Sequence, residues 1–212
     1  MNAWWRGLYA ITNPAPNLLE RVKAAIAGGA AVVQYRDKNP GDTRREREAR
    51  DLLALCGAHG VPLIINDDVA LAATVGADGV HLGRDDAALR EARRVLGAAA
   101  IIGVSCYNDV DLAVAAQQAG ASYVAFGRFF ASRTKPDAAP ASLDLIRQAK
   151  TQLSIPVVAI GGITPDNAAP LIDAGVDMLA VVHGIFGQAD PEQAARRYTQ
   201  LFDGRIYHDP IT

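Results

Sequence analysis

The run Gln34-Tyr35-Arg36-Asp37-Lys38 sets an amide and two cations at alternate positions behind an apolar stretch. Side chains of an extended chain alternate between faces, so Gln34, Arg36 and Lys38 share one side while Val33 and Tyr35 take the other. That face suits an anionic substrate; the competing role is a solvated strand end paired with Asp37 or Asp42. Asn66-Asp67-Asp68 and Asp85-Asp86 bring carboxylates behind two further apolar runs. Mg²⁺ takes one or two protein carboxylates and completes its shell with phosphate oxygens and water. The competing role is helix capping by Asp67 and Asp85. With two acids in each segment, both roles fit.

Four more segments carry groups of interest. Ser105 ends the fifth apolar run beside Cys106, and no His/Asp partner in sequence marks either as a nucleophile. Ser132-Arg133-Thr134-Lys135 offers hydroxyls and cations to a phosphate, or is a solvated surface loop. Gly161-Gly162-Ile163 and Val182-His183-Gly184 follow the last two apolar runs. Glycines there allow a phosphate to approach backbone N–H groups, and Pro165 suits the first turn of a following helix. His183 either donates to that phosphate or fills the loop. His81 reads as a hydrogen-bonded core residue, His59 and His208 as surface residues.

All these residues need to be positioned by a repeating scaffold, and the sequence has one. Short apolar runs recur at 8–12, 31–35, 62–66, 78–82, 100–105, 123–127, 156–161 and 178–182. None alternates strictly, as expected of parallel strands covered on both faces. Between them lie helical patterns; within 43–58, Ala49, Leu52, Leu53 and Cys56 fall on one face. Gly29, Gly76, Gly120 and Gly175 each stand between a helix and the next strand, where a left-handed residue is wanted. Eight strand–helix units predict a single (β/α)₈ TIM barrel over residues 1–212, with its site at the carboxyl ends of the strands. The competing architecture, an open doubly wound sheet, lacks a GxGxxG after its first strand. Residues 128–141 read as a mobile loop after the sixth strand.

Composition narrows the function classes. A formal charge of −2 argues against a general binder of nucleic acid or of anionic membrane. Two cysteines, Cys56 and Cys106, without a CxxC spacing, suit free thiols in a reducing compartment. No apolar run approaches the roughly 20 residues of a spanning helix, and the first residues do not read as a signal peptide. The expectation is a cytoplasmic soluble protein.

QYRDK (34–38), IINDD with GADGVHLGRDD (64–86), GVS (103–105), FASRTK (130–135), GGI (161–163) and AVVHGI (180–185), in this order, resemble the thiamine phosphate synthase family. The resemblance implies a Mg²⁺-dependent alkyl transfer from a pyrimidine diphosphate to a thiazole phosphate. It implies that Gln34, Arg36, Lys38, Asn66, Ser105 and Lys135 hold the pyrimidine diphosphate, with Tyr35 and Asp37 of the same run beside them. Arg36, Lys38, Lys135 and Ser105 would be the residues acting in catalysis. Asp67 and Asp86 would be the Mg²⁺ ligands. Ser132, Arg133, Thr134, Gly162, Val182 and His183 would meet the thiazole phosphate. The chain departs from the family at Ala131-Ser132, where Pro-Thr is common, at Arg84, where Gln is common, and at His183, where Ser is common. Two other activities share such a barrel: isomerisation of the thiazole, and ligand binding without catalysis. Members of those kinds tend to lose the Mg²⁺ and diphosphate residues, all of which are present here.

Overall fold

Runs rich in Val, Ile and Ala, too short and too apolar to stand in water on either face, become eight parallel strands wrapped by helices. The structure, a computed structural model, describes residues 5–39, 43–83, 85–131 and 141–203, without the side chains of residues 86 and 87. The elements are β1 (Gly7–Ile11), α1 (Leu18–Ala27), β2 (Ala30–Tyr35), α2 (Thr43–Ala58), β3 (Leu63–Asn66), α3 (Val69–Val75), β4 (Gly79–Leu82) and α4 (Asp86–Leu96). There follow β5 (Ile101–Tyr107), α5 (Val110–Gln118), β6 (Tyr123–Phe126), α6 (Leu143–Gln152), β7 (Val157–Ile160), α7 (Ala169–Asp173), β8 (Met178–Val181), α8 (His183–Phe186) and α9 (Pro191–Thr199). Each strand pairs with its sequence neighbours and β1 pairs with β8, so the sheet is closed and the open-sheet alternative is set aside.

Alternation along the strands sorts side chains into two cores. Val33, Tyr35, Ile65, Val104, Cys106, Val124, Phe126 and Leu179 face outward to the helices. Tyr9, Val32, Ile64, Tyr123, Val158, Met178 and Ala180 fill the barrel interior. The outward set buries the apolar stripes of the helices, for example Ala49, Leu52 and Cys56 of α2, each at most 1% exposed. Gly76, at φ 74°, closes α3 in the left-handed region, the role its spacing predicts.

The seam where the barrel closes is stitched on the outside. Arg21 of α1 donates to the carbonyls of Phe186 (2.7 Å) and Gln188 (2.8 Å), and Thr199 of α9 donates to Gly28 (3.0 Å). Among the described residues no helix is long and apolar enough to cross a membrane.

Candidate active site

At the carboxyl ends of the strands the interior opens into a cavity of about 300 Å³. Its wall takes Gln34 and Arg36 from the end of β2, Asn66 from β3, His81 from β4 and Ser105 from β5. Gly161 and Gly162 after β7 and Val182 and His183 after β8 complete it on the other side. A cavity of this size with a few convergent polar groups suits small ligands.

Alternation accounts for who faces in. Gln34 is only 2% exposed, and its amide donates to the Tyr9 hydroxyl at 2.8 Å. Arg36, two positions on, lines the cavity while its backbone N–H donates to the Thr12 hydroxyl at 2.9 Å. Lys38 is exposed and is not part of the wall.

The side chains of Tyr35 and Asp37, which the resemblance sets beside the pyrimidine diphosphate, turn toward the helices instead. Neither side chain lines the cavity. Tyr35 points into the sleeve between sheet and helices and donates to Glu48 of α2 at 2.7 Å. Burial, and then the Glu48 carboxylate, push its phenol well above the usual range, so it stays a donor. Asp37 is buried and pairs with Arg44, whose other amino group reaches Glu48 at 2.9 Å. The two brace the segment that carries Arg36, because the odd positions of this run face the helices.

The acids divide their work. Asp68, not Asp67, caps α3, accepting from the Leu71 N–H at 2.9 Å, and it pairs with Arg45 at 3.1 Å. Asp67 stands exposed at φ 61°, its carboxylate receiving the Asn66 amide at 2.8 Å. The helix therefore leaves Asp67 for other use. Asp86 opens α4, and its side chain lies outside the described residues. Among the described residues, no three His, Cys, Asp or Glu side chains gather to hold a metal ion. Asp67, exposed at the end of β3, is an oxygen donor of the kind Mg²⁺ takes, an ion that commonly draws the rest of its shell from substrate phosphates and water.

The glycine loop is shaped as expected, but its helix is not. Gly161 and Gly162 have φ of 104° and 63°, and a Cβ on Gly162 would overlap the backbone after β6 at Ala131. Pro165 lies in a turn and not in a helix: Thr164 N–H donates to the Asn167 side chain (2.8 Å), which donates back to Gly162 (3.1 Å). α7 begins only at Ala169, so no helix end adjoins Gly162. Ser132, Arg133, Thr134 and Lys135 lie outside the described residues.

Sequence reasoning missed part of the wall. Tyr9, Tyr107 and Arg128 line the cavity, and His81, expected in the core, does so as well while bonding Tyr123 and Ser105. Inward alternation in β1, β4 and β5 was the available signal. Arg128, beyond the end of β6, had none. Cys106 faces outward and is buried, in keeping with inert packing.

The family model described as thiamine monophosphate synthase matches residues 8–185. The thiamine-phosphate synthase of Thiobacillus denitrificans is 56% identical over 199 residues, covering 92% of this chain and 94% of that one. That of Nitrosococcus oceani is 52% identical over 206 residues, covering 95% of each. Among solved structures, the thiamine phosphate pyrophosphorylase from Pyrococcus furiosus superposes with a TM-score of 0.83 at 34% identity, covering 93% of this chain and 95% of that one. Thiazole isomerisation and non-catalytic binding gain no support from these similarities.

Proposed function

We propose, from the premise that this chain belongs to the thiamine monophosphate synthase family and is a transferase that forms thiamine phosphate, that it joins an aminopyrimidine methyl diphosphate to a thiazole phosphate and releases diphosphate. One observation carries the reading: a single cavity has Gln34, Arg36, Asn66 and Ser105 on one part of its wall and Gly162, Val182 and His183 on another. The first group offers hydrogen bonds and charge to a heterocycle bearing diphosphate. The second offers backbone N–H groups and an imidazole to a phosphate.

In the proposed reaction the bond from the pyrimidine's methylene carbon to the diphosphate oxygen breaks, and its electron pair leaves with diphosphate. The amino group of the ring stabilises the carbocation. The thiazole nitrogen then gives its lone pair to that carbon, forming the new C–N bond. No protein nucleophile is required. What the protein supplies is charge for the leaving group, from Arg36, Lys38 and Lys135, and proximity of the two rings. Mg²⁺ held by Asp67 and Asp86 would add positive charge on the diphosphate oxygens. Gln34, Asn66 and Ser105 orient the pyrimidine; Ser132, Arg133 and Thr134 join Gly162, Val182 and His183 around the thiazole phosphate. Asp37 and Tyr35 are left out of contact with substrate in this reading and brace Arg36 instead. A single barrel domain over residues 1–212, acting in the cytoplasm on these small molecules, completes the reading; the family match lies over residues 8–185.

The test is direct. The purified protein, the two phosphorylated heterocycles and Mg²⁺ should yield thiamine phosphate and diphosphate in equal amounts. Absence of both products would refute the substrate assignment.

A further inference from the structure

The inner polar side chains form one continuous chain across five strands. Gln34 Nε2 (β2) donates to Tyr9 Oη (β1) at 2.8 Å, and Tyr9 Oη lies 2.7 Å from Tyr123 Oη (β6). Tyr123 Oη is 2.9 Å from His81 Nδ1 (β4), and His81 Nε2 is 2.9 Å from Ser105 Oγ (β5). The His81 and Tyr123 rings also stack, 5.6 Å apart at 23°. Room for the Tyr123 hydroxyl is made by Gly103 of β5, where any Cβ would overlap the ring. Burial drives the Tyr9 and Tyr123 phenols far above their usual range, so each keeps its single proton to donate.

Each hydroxyl has one hydrogen, and a neutral imidazole has one N–H. A hydroxyl can accept twice but donate once, so the sense is set by which end can leave its hydrogen to the cavity: Tyr9 is 1% exposed, whereas Ser105 is only partly buried. Gln34 donates to Tyr9, the Tyr9 hydrogen goes to Tyr123, and the Tyr123 hydrogen goes to Nδ1. The His81 hydrogen then sits on Nε2 and goes to Ser105. Ser105 accepts from the wall and turns its own hydrogen toward the cavity, while Gln34 Oε1 at the other end is left as an acceptor.

We infer that Tyr9, Tyr123 and His81 are positioning residues, a one-way hydrogen-bond relay that holds His81 as the Nε2–H tautomer and makes Ser105 a donor to a ring nitrogen of the pyrimidine. The inference rests on the proposed pyrimidine substrate for its last step only. An aminopyrimidine carries both an N–H donor and ring-nitrogen acceptors, and so complements an acceptor at Gln34 and a donor at Ser105.

The tautomer is read on the full-length protein without ligand by nitrogen NMR after ¹⁵N-histidine labelling, with His81→Gln assigning the signals. The expected pattern is a bare Nδ1 and a protonated Nε2. A protonated Nδ1 would mean the relay runs in the opposite sense and would overturn the inference, whatever the substrate is. Tyr123→Phe keeps the ring and removes the hydroxyl. It should mix the His81 tautomers and raise KM for the pyrimidine diphosphate about tenfold, the loss expected for one well-made buried hydrogen bond, with KM for the thiazole phosphate unchanged. Unchanged His81 signals, or an equal rise in both KM values, would overturn the positioning role. Should Tyr123→Phe fail to fold, Tyr9→Phe breaks the relay one link earlier and is judged by the same readouts. Failure of the wild-type protein to use the pyrimidine diphosphate would instead refute the substrate assignment, and with it the role given to Ser105.

Discussion

Replacing Gly103 by alanine should destabilise the barrel through a single neighbour, the Tyr123 ring. The added methyl would overlap the phenol carbon and hydroxyl of Tyr123. The backbone can yield little, since Gly103 is paired directly with Tyr123 on β6 and with His81 on β4. The ring must therefore shift, disturbing its bonds to Tyr9 (2.7 Å) and His81 (2.9 Å). Overpacking costs about 1–3 kcal/mol, and a buried hydroxyl deprived of its partners about 1–3 kcal/mol more. A loss of roughly 3–5 kcal/mol is expected, which for a chain of this size lowers Tm by about 6–20 °C. Urea unfolding followed by circular dichroism would give the free energy. A double-mutant cycle isolates the cause: in a Tyr123→Ala background the alanine at 103 has space, and its cost should fall below about 1 kcal/mol. Equal cost in both backgrounds would refute the steric account and point to the glycine's backbone instead.

Asp67→Ala and Asp86→Ala should each slow turnover on the order of 100-fold or more while circular dichroism stays unchanged; full activity in the folded double variant would remove the Mg²⁺ assignment. A trifluoromethyl group in place of the pyrimidine's methyl should slow single-turnover chemistry on the order of 100-fold, about 2.7 kcal/mol, if positive charge builds on the methylene carbon. An unchanged rate, with chemistry shown to limit it, would refute the dissociative order of events. Cys56 is buried, its thiol pushed up to about 12 by desolvation and then by Asp78. A chromogenic disulfide reagent at mildly alkaline pH should therefore leave Cys56 unreacted in the native protein and label it once the chain is unfolded, as mass mapping would report.

What the sequence discloses here is mainly periodic. The eight apolar runs and the spacing of Gly29, Gly76, Gly120 and Gly175 are local signals, and each run overlaps a strand of the barrel. Alternation correctly turned Gln34 inward and Tyr35 outward, because it depends only on extended geometry. The relay was not legible: Tyr9 and Tyr123 are 114 positions apart, and no local pattern reports that two phenols meet inside a closed sheet. The capping role went to Asp68 and not to Asp67 because the chain takes a left-handed step at Asp67 before the helix begins. Pro165 is compatible with both a helix start and a turn; Asn167, clasping Thr164 and Gly162, decides for the turn.

The seam between Gly7–Ile11 and Met178–Val181 has a consequence for how this chain is made. The strand that leaves the ribosome early cannot complete its hydrogen bonding until the eighth strand has been synthesised. Until then the growing sheet carries two raw edges, β1 and whichever strand is newest, each offering unpaired amides to any other extended segment. Contacts such as Arg21 with Phe186 and Thr199 with Gly28 span more than 160 positions and form only after that. Long-range contacts of this kind slow folding, because loop closure comes before their reward. Changes at the seam are therefore expected to show first in the yield of folded protein.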